Sequence, residues 1–503
     1  MHIFESIKTK IFEERNYRKA IKAGFKPLDK NQYSKYNKFR PNGPKQIFCY
    51  LPYNSLTFSF QGEVYVCSYN RDIILGKYPE NSIKEIWEGT KAQKLREHMT
   101  HNDLSYGCRH CKFFFDKGKF SNIRPLVFDK YYQHTNADHP RVFEFEIDNK
   151  CNFECQMCRG EVSSSIRRNR DKLPPLKSPY DDAFVEQLEE YLPHLKEAKF
   201  YGGEPFMIPI YYKIWDKVMK LNPSLDLFVI TNGSLWNKRI EKIINELNFD
   251  IAISIDSLEK DVVEKIRKNS NLDTLLKNIN RFNEVCIRKK RNLSLSFTIQ
   301  KDNWKSLPKH IEYCNEIDAY AYISYLENPK EFSILELPKN EIEHIREWME
   351  KFSFPASNNK EKYNRRCFED YKKYLDAYLQ NENESRYQDY EFVPEWAKKE
   401  EEKKSKNEKY ILVQKGASKE TFQKMYESYI QENEIPENFN TQELLQKLDN
   451  ILNRFNEEEQ KKIYGMVLKS DVLKTFESLS KNTEEDLYQS SKNNLPLIII
   501  EEE

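Results

Sequence analysis

Hydrophobic residues follow two spacings along the middle of the chain. Short apolar runs alternate with stretches in which apolar residues recur every three or four positions, as in an amphipathic helix. The apolar runs are 142–147, 198–201, 227–231, 251–255, 293–300 and 320–325. The helical stretches are 163–168, 184–192, 238–247, 259–267, 273–288 and 304–314. Strands that alternate with helices indicate parallel βα units, so we expect an α/β fold with six parallel strands.

A different pattern precedes these units. Residues 56–60 and 64–67 read as two strands joined by a turn at Gln61 and Gly62, which predicts a β-hairpin. Ser82 then precedes a short amphipathic run, and serine is a favoured residue just before a helix. We therefore expect a first compact unit in residues 41–130.

The N-terminus is predicted to be helical. Its apolar residues recur at helical spacing between charged ones, and they are Ile3, Phe4, Ile7, Ile11 and Phe12. This pattern indicates an amphipathic helix rather than a signal peptide.

The C-terminal region is also predicted to be helical. Residues 398–409 are a run of Lys and Glu, which is typical of a solvated linker or helix. An apolar stripe follows, made of Leu444, Leu445, Leu448, Ile451 and Leu452. The stripe either packs within its own small bundle or docks a partner by helix-in-groove contact, and the sequence leaves both interpretations open.

Composition narrows the class of protein. A chain of 503 residues exceeds one ordinary core, so two or three domains are expected. The 81 Lys and Arg residues nearly balance the 80 Asp and Glu residues. The net charge therefore creates no electrostatic field that would favour binding to nucleic acid or to an acidic membrane. No apolar run reaches the length of a bilayer span. Ten cysteines without a secretory signal favour a reducing compartment, and we expect a cytoplasmic protein.

Three cysteines stand close together directly after the first predicted barrel strand. Cys151, Cys155 and Cys158 have the spacing C-x3-C-x2-C. Thiolates at this spacing can wrap around one face of a polynuclear iron-sulfur cluster, and three local ligands leave one iron open for an outside ligand. A structural zinc knuckle is the alternative, although zinc sites more often pair their cysteines two by two.

This motif resembles the radical S-adenosylmethionine (SAM) superfamily. The resemblance implies a partial (β/α)6 barrel and a 4Fe-4S cluster whose open iron chelates the amino and carboxylate groups of SAM. It also implies reductive cleavage of SAM to a 5'-deoxyadenosyl radical, with an electron donor such as flavodoxin or ferredoxin. The family commonly has an aromatic residue before the third cysteine, near the adenine, where this chain has Met157.

A second motif strengthens the resemblance. The predicted strand 198–201 ends in Gly202, Gly203, Glu204 and Pro205. Glycines at a strand end let the backbone approach a ligand closely, and a carboxylate accepts hydrogen bonds from an ammonium. In the radical SAM family, this G-G-E-P sequence contacts the SAM amino group.

Polar residues at the ends of the later strands are further candidates for SAM contacts, because ligands of parallel α/β folds sit at the carboxyl ends of strands. They are Asn232, Ser254, Asp256, Gln300 and Asn303. Arg267 fits the tendency of the superfamily to place a cation after this part of the sheet, although a solvated helix face explains it equally well. Any of the five polar residues can instead be a loop or cap residue. The sequence identifies no general acid or base.

Four cysteines in the first unit form another set, namely Cys49, Cys67, Cys108 and Cys111. With the segments C-Y-L-P, G-E-V-Y-V-C, S-I-K-E-I-W and C-R-H-C, this region resembles the SPASM/twitch module. That resemblance implies an auxiliary 4Fe-4S cluster, here in a module that precedes the barrel instead of following it. A four-cysteine zinc site is the alternative.

The expected organisation is thus a helical lead (1–40), a SPASM/twitch-like module (41–130), a radical SAM barrel (138–335), a barrel-closing segment (336–400) and a helical C-terminal appendage (401–503). Cys286 and Cys314 are expected to be buried core thiols, whereas Cys367 is a candidate to face the site. The resemblance implies hydrogen abstraction from a substrate, first of all a ribosomally made peptide. A carbohydrate or other small metabolite, and a non-catalytic metal scaffold that binds a partner, are the alternatives.

Overall fold

The computed structural model describes residues 17–380, 411–413, 418–432, 440–469, 472–495 and 498–500. The predicted helix at residues 3–12 and the charged run 398–409 lie outside this part of the chain. The chain divides into two compact units, one made of residues 1–166 and 176–394 and the other of residues 167–175 and 395–503. Each unit is described by itself.

Parallel strands form most of the sheet in the first unit. Six of them are β4 (Val142–Glu146), β6 (Glu197–Phe200), β7 (Asp226–Thr231), β8 (Asn248–Ser254), β10 (Leu293–Ile299) and β11 (Tyr320–Tyr325). Each of the first five strands is paired in parallel with the next one in chain order, through crossovers that contain helices. This arrangement confirms the predicted α/β fold and its partial (β/α)6 barrel.

The predicted hairpin belongs to the same sheet. Strands β1 (Ser55–Ser59) and β2 (Glu63–Tyr65) pair in antiparallel fashion, and β3 (Gly76–Lys77) follows β2. Strand β1 also pairs in parallel with β4, so that nine strands form one continuous sheet. The sequence predicts the hairpin but not this pairing, because alternation within a strand does not specify a distant partner.

The two faces of strand β4 have opposite chemistry. Phe143 and Phe145 pack on Phe58 and Phe200, with ring centroids 5.1–5.4 Å apart. Glu144 alternates with these phenylalanines and therefore faces the other side of the sheet. The register pairs it with Lys199 of β6. We call this second, polar side the barrel interior.

Helices surround the sheet. In chain order, they are α1 (Lys30–Phe39), α2 (Ile83–Glu88), α3 (Thr90–Thr100), α4 (Arg109–Asp116), α5 (Pro125–Phe128), α6 (Ser164–Asn169), α7 (Asp182–Leu188), α8 (Pro209–Leu221), α9 (Lys238–Glu246), α10 (Lys260–Ile266), α11 (Leu272–Arg288), α12 (Leu307–Glu316), α13 (Lys339–Met349) and α14 (Asn359–Gln380). Helix α2 begins as predicted, because the Ser82 side chain accepts from the Glu85 backbone in a capping box. The sequence interpretation missed α8, although Pro209 at its first turn and the apolar spacing through Ile214 and Val218 are both helix signals.

The last barrel strand, β11, is held by helix α14. The Asn364 side chain accepts from the Ala321 backbone N–H at 2.7 Å and donates to the Ala319 carbonyl at 2.9 Å. Cys286 and Cys314 are buried, as predicted, whereas Cys367 on α14 is half-buried.

The second unit has its own apolar core. Its helices are α15 (Lys419–Glu432), α16 (Thr441–Leu452), α17 (Glu457–Lys469), α18 (Val472–Lys481) and α19 (Glu484–Asn494), with a parallel pair of short strands, β12 (Ile411–Val413) and β13 (Ile498–Ile500). Leu444, Leu448, Ile451 and Leu452 are all at most 7% exposed and pack with Phe476. The stripe therefore packs within its own bundle, and its apolar surface is already covered. Among the described helices, none is long and apolar enough to cross a bilayer.

Candidate functional site

The cluster loop, which we define as residues 147–160, leaves the carboxyl end of β4. Cys151 and Cys155 are 9% and 5% exposed, and Cys158 is half-buried. Cys155 lies in the short strand β5 (Glu154–Cys155), which pairs with β9 (Arg267–Lys268) and places Cys155 opposite Arg267. The Cys158 backbone N–H donates to the Cys155 carbonyl at 3.1 Å. The loop thus gathers the three predicted ligands in one place at the end of a barrel strand.

Serine hydroxyls hold this loop in shape. Ser163 Oγ donates to the Phe153 carbonyl at 2.7 Å, and Ser165 Oγ donates to the Cys151 carbonyl at 2.8 Å. Ser164 Oγ accepts from the Cys151 backbone N–H at 3.1 Å. Ser163 directly precedes helix α6, and Ser164 and Ser165 are its first residues, so the start of this helix holds the loop in shape. A loop held in this way is preorganised for its ligand.

Hydrogen-bond donors point at the thiols. Asn232 Nδ2 lies 3.9 Å from Cys151 Sγ, and Arg267 Nη1 lies 3.8 Å from Cys155 Sγ. Burial raises the pKa of Cys151 to about 11. The Cys158 thiol, by hydrogen bonding to Cys155, lowers the pKa of Cys155, and the Arg267 charge adds to this effect. The donors favour thiolates, which are the form that binds iron.

The G-G-E-P loop packs against the backbone of the cluster loop. Gly202 has a φ of +104°, and a Cβ added to Gly203 would clash with the Lys150 carbonyl. The Gly203 N–H donates to the Asp148 carbonyl at 3.1 Å, and the Glu204 N–H donates to that of Lys150 at 2.6 Å. Glycine is required here because the close approach is between two protein loops.

The Glu204 carboxylate has other hydrogen-bond partners than the sequence predicts. The sequence predicts a carboxylate that accepts hydrogen bonds from an ammonium. In the structure, the fully buried carboxylate accepts from the Phe206 N–H at 3.1 Å, from the Thr231 hydroxyl at 2.7 Å and from the Asn232 N–H at 2.6 Å. Burial raises the pKa of Glu204 to about 7. The carboxylate therefore joins the ends of β6 and β7.

The remaining candidates form a buried polar cluster at the ends of β8 and β10. Asp256 is fully buried and pairs with Arg267, with Nε and Oδ2 2.7 Å apart. Asn303 Nδ2 donates to the Asp256 carbonyl at 2.9 Å, and its Oδ1 accepts from the Gln300 N–H at 2.8 Å. The predicted residues Asp256, Arg267, Gln300 and Asn303 thus lie together, and Arg267 connects them to Cys155.

The side-chain amide of Gln300 is suited to bind a polar ligand. Its side chain is fully buried, and neither its amide oxygen nor its amide nitrogen has a hydrogen-bond partner among the described residues. A buried amide without partners costs free energy, so a bound group with donors and acceptors would relieve that cost. Ser254 lies half-buried opposite Ser296 on β10, and Met157 lies half-buried in the cluster loop.

The second set of thiols surrounds a cavity in the first part of the chain. Cys49 precedes the turn Leu51–Tyr53, Cys67 follows β2, and Cys108 and Cys111 lie at the start of α4. All four line one cavity whose other walls are mainly apolar, formed by Phe48, Leu51, Pro52, Val66, Tyr69, Asn70, Met99, Arg124 and Pro125. Across the described residues, no three His, Cys, Asp or Glu side chains converge on a position for a single metal ion.

The electrostatics of this cavity disfavour four free thiolates. Burial raises the pKa of all four thiols, that of Cys111 to about 12, and neighbouring thiolates raise the pKa of Cys49, Cys108 and Cys111 further. Asn70 Nδ2 donates to Cys108 Sγ at 3.5 Å. Iron would offset the charge repulsion, because bound iron stabilises the thiolate form. The donor set therefore fits a cluster with four thiolate ligands.

A charged network in the barrel interior adjoins this cavity. Arg124 Nη2 donates to Glu144 Oε1, and Lys199 Nζ donates to the same oxygen at 3.1 Å. Arg71 Nη2 donates to Glu146 Oε2 at 3.0 Å. The sequence interpretation missed these residues. The available signal was the alternation of the two glutamates with Phe143 and Phe145, which places carboxylates on the side of β4 that lacks the aromatic core.

Exposed tyrosines lie near this network. Tyr322 on β11 is 54% exposed, and Tyr69, which follows Cys67, is 40% exposed. The Tyr69 ring centroid lies 5.5 Å from the Arg124 guanidinium, and burial raises the pKa of Tyr69.

Comparison with protein families identifies two segments. Residues 145–314 match the family model of the radical SAM superfamily, and residues 49–112 match that of SPASM, an iron-sulfur cluster-binding domain.

Individual proteins are similar over parts of the chain. A probable GTP 3',8-cyclase of Methanocaldococcus jannaschii is 26% identical over 183 residues, which cover 36% of this chain and 58% of that protein. The GTP 3',8-cyclase of Helicobacter pylori is 27% identical over 208 residues, covering 41% and 61%. The chain thus spans about three fifths of these relatives. The crystal structure of Streptococcus suis SuiB bound to S-adenosylmethionine aligns over 52% of this chain and 62% of that one, with 15% identity and a TM-score of 0.32.

Proposed function

We propose that the chain, which matches the radical SAM family model over residues 145–314 and the SPASM family model over residues 49–112, is an iron-sulfur enzyme that abstracts hydrogen from a peptide substrate. The observation that supports this most directly is the cluster loop. Three thiols lie together at the carboxyl end of β4, with Asn232 and Arg267 directed at two of them. In this proposal, a cluster held by these three thiols keeps one iron for SAM.

We assign the two thiol sets to two clusters. Cys151, Cys155 and Cys158 would hold a 4Fe-4S cluster with an open iron. The auxiliary 4Fe-4S cluster would be held by the four cavity thiols, Cys49, Cys67, Cys108 and Cys111. Because the matching SPASM model describes an iron-sulfur cluster-binding domain, zinc is not the metal that this region is built for. When bound, the first cluster and SAM supply an electron and the 5'-deoxyadenosyl radical.

The protein's own residues position that chemistry. Arg267 stabilises thiolate at Cys155, and Asp256 holds the guanidinium in place. Gln300 offers its unpaired amide to a polar group of SAM. The backbone of the G-G-E-P loop, rather than the Glu204 carboxylate, faces the SAM amino group in this proposal. We assign further SAM contacts to Met157, Asn232, Ser254 and Asn303.

Charge and shape at the barrel interior favour a peptide over a nucleoside triphosphate. Phosphate groups bind where Lys, Arg or free backbone N–H groups face them. Here Arg71 pairs with Glu146, while Arg124 and Lys199 both contact Glu144. Tyr69, which lies beside Arg124, and Tyr322 on β11 are both exposed, and tyrosine is enriched where proteins bind peptides and other proteins.

A small metabolite is the second candidate substrate. The similarity to proteins named GTP 3',8-cyclase supports it over the part of the chain that they share. In both cases, we propose an external electron donor such as flavodoxin or ferredoxin, since the first cluster must be reduced before SAM is cleaved.

The test uses the anaerobically reconstituted full chain with dithionite and SAM. We expect 5'-deoxyadenosine to form. Any short peptide encoded beside the gene should then change mass when it is co-expressed with the enzyme, and GTP should stay unchanged. Conversion of GTP, with an unmodified peptide, would replace the peptide proposal with the metabolite one. Absence of 5'-deoxyadenosine from a protein with full iron content would contradict the proposed activity itself.

A further inference from the structure

Arg124 lies where the auxiliary cavity meets the barrel interior. It immediately precedes helix α5 and lines the cavity of the four thiols. Its Nη2 donates to Glu144, and its guanidinium lies 5.5 Å from the ring centroid of Tyr69. The guanidinium therefore stands between the auxiliary thiols and a barrel carboxylate.

One donor of this guanidinium is unused. Nε of Arg124 is buried and has no hydrogen-bond partner within the described chain. A buried N–H without an acceptor is costly, so its presence points to an acceptor that the polypeptide does not supply. Arg124 lines the same cavity as Cys67 and Cys111, so this donor lies beside the proposed ligands of the auxiliary cluster.

We propose that Arg124 is a positioning residue of the auxiliary cluster, which donates its Nε–H to a cluster sulfur and raises the reduction potential, with Glu144 opposing that effect. This inference rests on the auxiliary cluster of the proposed function. Reduction adds a negative charge to a cluster, and a nearby cation or hydrogen-bond donor stabilises that charge. The Glu144 carboxylate reduces the positive charge that reaches the cluster.

The Arg124–Glu144 pair connects the auxiliary cavity with the barrel interior. Glu144 also accepts from Lys199 at 3.1 Å and from the Thr57 hydroxyl at 3.4 Å, both in the barrel interior. The electron affinity of the auxiliary cluster is thus set by a residue pair that also faces the space proposed for the substrate.

A redox titration separates this role from a merely structural one. The background is the full chain with Cys151, Cys155 and Cys158 changed to Ala, so that electron paramagnetic resonance reports the auxiliary cluster alone. We expect Arg124→Met to lower the midpoint potential and Arg124→Lys to lower it less, because Lys keeps the charge. Glu144→Gln should raise it. Shifts of opposite sign from two residues in contact are the signature of an electrostatic role.

Lys112→Met is the matched control. It also removes one positive charge beside a cysteine, but the Lys112 side chain is 48% exposed and its ammonium pairs with Asp116, so solvent screens the charge. The midpoint potential of the auxiliary cluster in this variant should match that of the triple-alanine background. An unshifted potential in Arg124→Met with about four irons per chain, or an equal shift in Lys112→Met, would refute the inference.

The inference can still be refuted if one of the variants loses its cluster. If Arg124→Met holds no iron, Glu144→Gln decides, and an unchanged potential in that variant overturns the role of Arg124. If the background variant itself binds no iron, the auxiliary cluster assignment fails, and this inference fails with it.

Discussion

The two thiol sets are built in different ways. Cys151, Cys155 and Cys158 come from one short loop, and their surroundings are polar, with Asn232 and Arg267 directed at sulfur. The auxiliary thiols come from three separate segments and enclose a mainly apolar cavity. A loop of three thiols leaves one side for a polar ligand, whereas four thiols around a cavity can complete every ligand position of a cluster. In the proposed function, the first set is therefore the reactive one and the second stores or transfers electrons.

The largest expected effect comes from the cluster loop. Changing Cys151, Cys155 and Cys158 together to Ala should abolish 5'-deoxyadenosine formation and remove about four irons per chain, because one cluster loses all its protein ligands. Chromatography of the SAM cleavage products and iron analysis check this. Residual SAM cleavage by the triple variant would show that the loop is not the SAM site.

Gly203→Ala should remove most of the first cluster without touching a thiol. A Cβ at this position clashes with the Lys150 carbonyl and displaces the cluster loop. Iron content and the charge-transfer absorption of the anaerobic protein measure the loss. Gly43→Ala is the control, since Gly43 has a φ of +74° but open space around it, so it should cost only about 1–2 kcal/mol of stability. Equal iron in the two variants would contradict the tight packing of the loops.

Arg267→Met should destabilise the protein by about 3–5 kcal/mol, because it leaves the Asp256 carboxylate buried without its cation. Chemical denaturation of the apoprotein measures this change. Adding Asp256→Asn to Arg267→Met should restore much of the stability but not SAM cleavage, since the cation near Cys155 is still missing. A double variant as unstable as the single one would show that the pair is not the cause.

Glu204 should give a smaller, pH-dependent effect. Burial raises its pKa from 4.5 to about 7, so the native state binds the proton more tightly than the unfolded chain. The resulting stability is fully present below pH 4.5 and is lost as the pH rises to about 7. A shift of this size corresponds to about 3 kcal/mol. The thermal midpoint of the wild type should fall more across this window than that of Glu204→Gln, and parallel curves would contradict the assignment.

The sequence predicts much of the architecture but less of the site. The six parallel strands were predictable because each is a short apolar run and most of them are separated by helical patterns, and the cluster loop was predictable because its thiols are neighbours in sequence. Pairing of β1 with β4 was not, since it joins residues 55–59 to residues 142–146 and no local pattern encodes that contact.

The site residues show the same limit. Glu204 was singled out for its position after two glycines, yet its hydrogen bonds with Thr231 and Asn232 depend on a strand that follows later in the chain. Arg124 belongs to no sequence motif. It contacts Glu144 and lines the same cavity as Cys67, and these residues are brought together only by the tertiary structure.

The most direct test of the division between the two thiol sets is SAM cleavage by the Cys108→Ala, Cys111→Ala double variant. Anaerobic reconstitution should give about four irons per chain instead of about eight, since one of two four-iron clusters is lost. With dithionite and SAM, the variant should still form 5'-deoxyadenosine but no modified substrate. Full product formation by a variant that lacks the auxiliary cluster would contradict the account, and so would the loss of 5'-deoxyadenosine while the first cluster is intact.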